Sequence, residues 1–218
     1  MAVTKYAGVE GMRELLDSGL VDQIGENRVQ EAEAKRKALG PSAAKARWRL
    51  IGHLQSNKAR RALDIFDALD SLDSLRLAQA LERILSEKER RLPALVQIKL
   101  AERRSQSGVS PEALEGFLES LKGCPHLDIL GLMAIAPELE PVEETRPYFR
   151  RMRELFDRFF SGRPEARLSM GMSRDFEIAV EEGASLVRIG STIFSGYNNE
   201  AAASRSDGTC RPPQRSSA

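Results

Sequence analysis

The feature that most constrains this chain is an alternation of short apolar runs with longer amphipathic stretches, repeated eight times. AVTK leads to VEGMRELLDSG, VDQIG to ENRVQEAEAKRKALG, RWRLIG to QSNKARRAL, and IFDALDS to SLRLAQALERILSEKERR. PALVQIKL then leads to SPEALEGFLESLKG, LDILGLMAI to EETRPYFRRMRELFDRFF, RLSMGM to SRDFEIAVEEG, and SLVRIG to the short STIF. Short runs rich in Val, Ile and Leu suit strands buried on both faces, while the stretches between them carry helical spacing. Strands separated by helices run parallel, because the crossover returns the chain to the same end of the sheet. An open doubly wound sheet has the same local pattern, but eight βα units are the number that closes a barrel. The expected fold is therefore α/β, a single (β/α)8 TIM barrel over residues 1–196.

Two stretches depart from the pattern. The chain opens directly on its first strand, with no helix before it, so the barrel is expected to be weak at that edge. Residues 197–218, YNNEAAASRSDGTCRPPQRSSA, are small, polar and without periodicity, which is the composition of a disordered tail.

Charge and cysteine content exclude several classes. Lys and Arg number 33 against 32 Asp and Glu, so a net charge of +1 gives no field favouring nucleic acid or an anionic membrane. No apolar run is long enough to span a bilayer, and the N-terminus lacks the pattern of a signal peptide. Cys124 and Cys210 stand alone and supply neither a disulfide framework nor a zinc site. A cytoplasmic monomer, with no metal, is expected.

In such a barrel the functional face is built from the loops after the strands, so the residues ending each strand carry the information. Lys5 follows the first, Asn27 the second and His53 the third. Met170, Gly171 and Ser173 fall at the end of the seventh, and Arg188, Gly190, Ser191 and Thr192 at the end of the eighth. Glycines at 171 and 190 permit close approach of backbone to a ligand, and Ser173 is suited to cap the helix after it. Hydroxyls and free N–H groups where helices begin favour an anion, and barrels often hold phosphate at these two loops. Each loop alone is ordinary turn chemistry. His53 alone reads as a hydrogen-bonded structural histidine, and Asn27 alone as a helix cap.

Strand one neighbours strand eight in a closed barrel, so Lys5 stands beside this cradle. An amine, a phosphate cradle and the fixed positive charge of Arg188 suit pyridoxal 5′-phosphate held as a Schiff base. A phosphosugar lyase or aldolase, with Lys5 forming an imine to substrate, remains open on chemistry alone.

The stretches AVTK, IGENRVQEA, WRLIGHLQSNK, GLMAI, LSMGMSRD and VRIGSTIFSG, in this order, resemble the pyridoxal-phosphate homeostasis protein family. The resemblance implies a barrel like the N-terminal domain of alanine racemase, with pyridoxal phosphate on Lys5 of the VTK motif. It further implies Met170, Gly171, Ser173, Gly190, Ser191 and Thr192 at the phosphate, Arg188 at the pyridine nitrogen, Asn27 near the ring and His53 in the pocket wall. The implied role is a carrier or buffer that passes the cofactor to apo-enzymes, with little or no turnover. The alternative is a racemase-like enzyme acting on amino acids. QIKLAERRSQSG departs from the family's usual ending of strand five, so no contribution from that strand is expected.

Overall fold

The computed structural model describes residues 1–100 and 107–194. Eight strands form one sheet in sequence order: β1 (Ala2–Val3), β2 (Gln23–Glu26), β3 (Arg47–Leu50), β4 (Ala68–Leu72), β5 (Leu92–Ile98), β6 (Leu127–Ala134), β7 (Arg167–Met172) and β8 (Leu186–Arg188). Every neighbouring pair is parallel. Between them run α1 (Val9–Asp17), α2 (Val29–Leu39), α3 (Ala59–Ile65), α4 (Leu75–Glu87), α5 (Leu114–Leu121), α6 (Arg146–Phe160) and α7 (Phe176–Glu181). The chain is a (β/α)8 barrel.

The edge expected to be weak is joined. Ala2 bridges Ile189 in parallel, the Val3 amide donates to the Ile189 carbonyl at 2.7 Å, and the Ile189 amide donates to the Met1 carbonyl at 3.2 Å. On its other side β1 pairs with β2, and the Thr4 amide extends that ladder to the Gly25 carbonyl at 3.1 Å. Two residues of strand thus take backbone bonds from both neighbours, which leaves no open sheet edge there. Gly190 permits this approach, because a Cβ on it would stand 2.9 Å from the Val3 carbonyl oxygen.

Alternation along the strands sorts side chains between the helix layer and the barrel interior. Trp48 is fully buried, donates Nε1–H to the Ala43 carbonyl at 2.9 Å, and lies under the Arg36 guanidinium of α2. Arg49, one residue on, points the other way and grips Asp70 of β4 through Nε and Nη2. The helices close the outer layer with one apolar face each. On α4 the buried residues are Leu77, Ala78, Leu81, Ile84 and Leu85, and on α6 they are Phe149, Met152, Phe156 and Phe160. The arginines interleaved on α6 face solvent and pair with nearby carboxylates, as Arg146 does with Glu181 and Glu182. The proposed tail, residues 197–218, lies outside the described residues.

Candidate functional site at the barrel mouth

Lys5 follows β1 in a tight turn. The Ala7 amide donates to the Thr4 carbonyl at 2.9 Å, making Lys5 and Tyr6 the central residues of a β-turn. Strand alternation therefore no longer separates their side chains. The Lys5 ammonium lies 4.9 Å from the centroid of the Tyr6 ring, and Tyr6 is 79% exposed. Lys5 is itself exposed, and its side chain has no hydrogen-bond partner among the described residues. The turn leaves the amine at the rim, with Tyr6 beside it.

Beside Lys5, across the β1–β8 junction, the chain leaves β8 at Arg188. Gly190 opens a helical turn at Ser191–Phe194, with the Ile193 and Phe194 amides bonded to the Gly190 carbonyl. Amides at the start of a helical turn have no partner within it, so those of Ser191 and Thr192 are donors for an anion. Ser191 and Thr192 are exposed. The Gly190 amide donates to Ser173 Oγ at 3.3 Å and ties this turn to the loop after β7.

Arg188 is 4% exposed and directed into the barrel. Nη1 donates to Ser169 Oγ at 2.9 Å, and Nη2 donates to the Ala134 carbonyl at 2.7 Å. Nε has no partner among the described residues. Burial pushes the guanidinium down to about 10, and the opposing charges of Asp70 and Asp175 limit that fall. At neutral pH it remains a cation held on a fixed axis.

Not every expected residue meets at the mouth. Ser169 faces Arg188, so Met170, the next residue along, turns to the opposite face and is fully buried in the hydrophobic core. Gly171 adopts φ +89°, and a Cβ there would stand 2.6 Å from Ala179 Cβ. Its missing side chain lets α7 pack on β7 and does not open space for a ligand. Ser173 is not a helix cap either. Asp175 precedes α7 and accepts the Met172 amide at 2.6 Å, which frees Ser173 for Gly190.

On the other side of the mouth, Asn27 is half-buried after β2, and its side chain has no hydrogen-bond partner among the described residues. It does not cap α2, whose N-cap is Arg28. Gly52 packs directly on the Asn27 backbone, and a Cβ at residue 52 would fall 2.3 Å from the Asn27 carbonyl oxygen. His53 Nδ1 lies 2.8 Å from Asp73 Oδ2 and 3.4 Å from Ser107 Oγ, with the imidazole 54% exposed. Asp73 is a member of the site that sequence reasoning missed. Its Oδ1 is buried without a partner among the described residues, while DSLDS reads only as a strand end.

Among the described residues no group of His, Cys, Asp and Glu could hold a metal ion, and no helix is long and apolar enough to cross a membrane.

Comparison with known proteins defines the class first. Residues 1–198 match the family model "Alanine racemase, N-terminal domain". An alanine racemase of Clostridium difficile shares the fold at TM-score 0.68 and 15% identity, over 88% of this chain and 51% of that one. More specific are curated relatives called pyridoxal phosphate homeostasis protein. The one from Aquifex aeolicus is 38% identical over 89% of this chain and 85% of its own length, and the one from Haemophilus influenzae is 32% identical over 91% and 84%. The structure of PipY from Synechococcus elongatus, with pyridoxal phosphate bound, superposes at TM-score 0.80 with 38% identity, covering 89% of this chain and 91% of PipY. The chain belongs to the pyridoxal phosphate homeostasis protein family.

Proposed function

We propose that this chain binds pyridoxal 5′-phosphate at the barrel mouth, in Schiff-base linkage to Lys5, and acts in homeostasis of that cofactor as a carrier. When bound, the cofactor supplies an aldehyde that joins an amine, a phosphate that needs donors, and a pyridine ring whose protonation sets its capacity to accept electrons. The residues at the mouth suit each part. Lys5 is an exposed amine without a hydrogen-bond acceptor among the described residues. Ser173, Ser191, Thr192 and the first amides of the turn after β8 are donors for the phosphate. Arg188 directs a cation into the barrel beneath them.

The observation that carries this reading is the junction of β1 with β8. The Val3–Ile189 bond joins the strand that leads to Lys5, two residues beyond Val3, to the strand that leads to Ser191, two residues beyond Ile189. Amine and phosphate donors are thereby brought to the same end of adjacent strands. Asn27 stands on the next strand as a side-chain contact to the ring, and His53 walls the far side.

A carrier is favoured over an enzyme by Arg188. A buried cation at the pyridine nitrogen disfavours protonation there, because two positive groups in contact repel. An unprotonated ring is a weaker electron sink, so carbanion formation at an amino-acid substrate is disfavoured. Cofactor-requiring apo-enzymes are the recipients, and the protein acts as a monomer in the cytoplasm. The test is a spectrum of the protein mixed with pyridoxal phosphate, combined with an assay for alanine or serine racemisation. A visible band without racemisation is expected. Racemisation well above background would replace the carrier with a racemase-like enzyme, and absence of any band would remove both.

A further inference from the structure

Thr4, the residue before Lys5, has every polar group engaged. Its amide donates to the Gly25 carbonyl at 3.1 Å, and its hydroxyl donates to Glu26 Oε1 at 2.5 Å. Its carbonyl accepts both the Ala7 amide, at 2.9 Å, and the ammonium of Lys35, at 2.5 Å. Lys35 reaches in from α2 and pairs with the same Glu26 oxygen at 2.7 Å. Thr4 and Glu26 are fully buried, and the Lys35 side chain is only 14% exposed.

As a source of stability this arrangement is poor. Desolvating an ammonium and a carboxylate costs about as much as their attraction returns. Glu26 Oε2 is also buried with no partner among the described residues, which adds an uncompensated cost. A cluster with little net return for the fold calls for another account, and its position supplies one. It holds Thr4, the first residue of the turn that carries Lys5, through both carbonyl and hydroxyl, while leaving the Lys5 amine untouched.

We infer that Lys35 and Glu26 are positioning residues for Lys5, acting through the Thr4 carbonyl and hydroxyl to hold the Thr4–Ala7 turn in the orientation that presents the amine to an aldehyde. This rests on the proposed role of Lys5. Lys35 supplies the second hydrogen bond to the Thr4 carbonyl, and Glu26 fixes Lys35 and Thr4 together. Without them the Thr4 carbonyl keeps only its Ala7 bond and the hydroxyl has lost its acceptor, and Lys5 samples orientations that do not face the phosphate donors.

The test compares wild type with Lys35→Met, Lys35→Arg and the double variant Glu26→Gln/Lys35→Met. Three quantities are measured on each: thermal stability, amide hydrogen exchange of residues 5–8 in cofactor-free protein, and affinity for pyridoxal phosphate from the visible band. Lys35→Met is expected to speed exchange in the turn and to weaken affinity about tenfold, the scale of one charge-assisted hydrogen bond. Lys35→Arg restores most of both. The double variant removes the stranded carboxylate, so it recovers thermal stability while exchange stays fast and affinity stays weak. The inference is overturned if the double variant recovers affinity together with stability, or if Lys35→Met binds as wild type does with exchange unchanged. Should Lys35→Met fail to fold, the double variant decides alone. Borohydride reduction and peptide mapping separate this outcome from failure of the Lys5 assignment. Trapping at Lys5 with no effect of Lys35 overturns only the positioning role, whereas trapping at another lysine overturns the assignment.

Discussion

The amide of Gly190 donates to Ser173 Oγ at 3.3 Å, and this contact joins the loops after β7 and β8 at the end of the barrel where Lys5 emerges. Ser173 is half-buried and belongs to no helix cap. Its hydroxyl therefore accepts from one loop and keeps its own proton to donate elsewhere.

Ser173→Ala tests that donor. Loss of one hydrogen bond to a charged group should weaken pyridoxal phosphate binding about tenfold. The melting temperature should move little, because the Gly190–Ser173 bond is long at 3.3 Å and only part-buried. A titration monitored in the visible range, paired with a thermal melt, checks both halves of the prediction.

Gly52→Ala should act through sterics. A Cβ at residue 52 would collide with backbone, the Asn27 carbonyl oxygen at 2.3 Å, and backbone cannot swing aside as a flexible side chain can. The expected cost is about 2–4 kcal/mol of stability, with loss of cofactor affinity as Asn27 is displaced. Denaturant unfolding of the cofactor-free protein measures the first term. Unchanged stability would mean that the β2 and β3 loops are not packed as described.

Arg188→Lys should fail as a conservative change. The guanidinium spans two acceptors, Ser169 Oγ and the Ala134 carbonyl, with a planar fork that an ammonium cannot reproduce. Weaker cofactor binding and a displaced absorbance maximum are expected, since in the proposed binding mode Arg188 faces the pyridine nitrogen and its charge would move. Spectra of the two proteins at saturating cofactor provide the comparison.

His53→Gln should change stability by less than about 0.5 kcal/mol, because the imidazole is half in solvent and its contact with Asp73 lies at the rim. Any effect on cofactor affinity would then reflect the pocket wall and not the fold. A thermal melt beside a binding titration distinguishes the two.

The barrel was legible in the sequence because each strand is a compact apolar run and each helix shows one apolar face. RLSMGM is β7, PALVQIKL covers β5 from Pro93 onward, and SLRLAQALERIL contains the buried stripe of α4. Residue type alone drew attention to Lys5, Arg188 and Ser173, and the structure puts each of them at or just beyond the end of a strand. What escaped depends on direction. Met170 and Ser169 are adjacent, and only the pleat decides that Ser169 meets Arg188 while Met170 joins the core. Gly171 looked like room for a ligand, but α7 occupies that space. Lys35 sits in a run of charges that reads as a solvated helix face. Its role emerges only when α2 packs beside β1, bringing residues 31 positions apart into contact.

The central claim is that Lys5 is the amine that holds the cofactor, and one experiment addresses it directly. The protein is mixed with pyridoxal phosphate, its visible spectrum recorded, and the linkage reduced with borohydride before peptide mapping, in parallel with Lys5→Ala. The account predicts a visible band in the wild type, a reduced adduct on the peptide containing Lys5, and neither in the variant, whose melting temperature stays close to the parent's because Lys5 is exposed. A band of equal strength in Lys5→Ala, with the adduct on a different lysine, would contradict it.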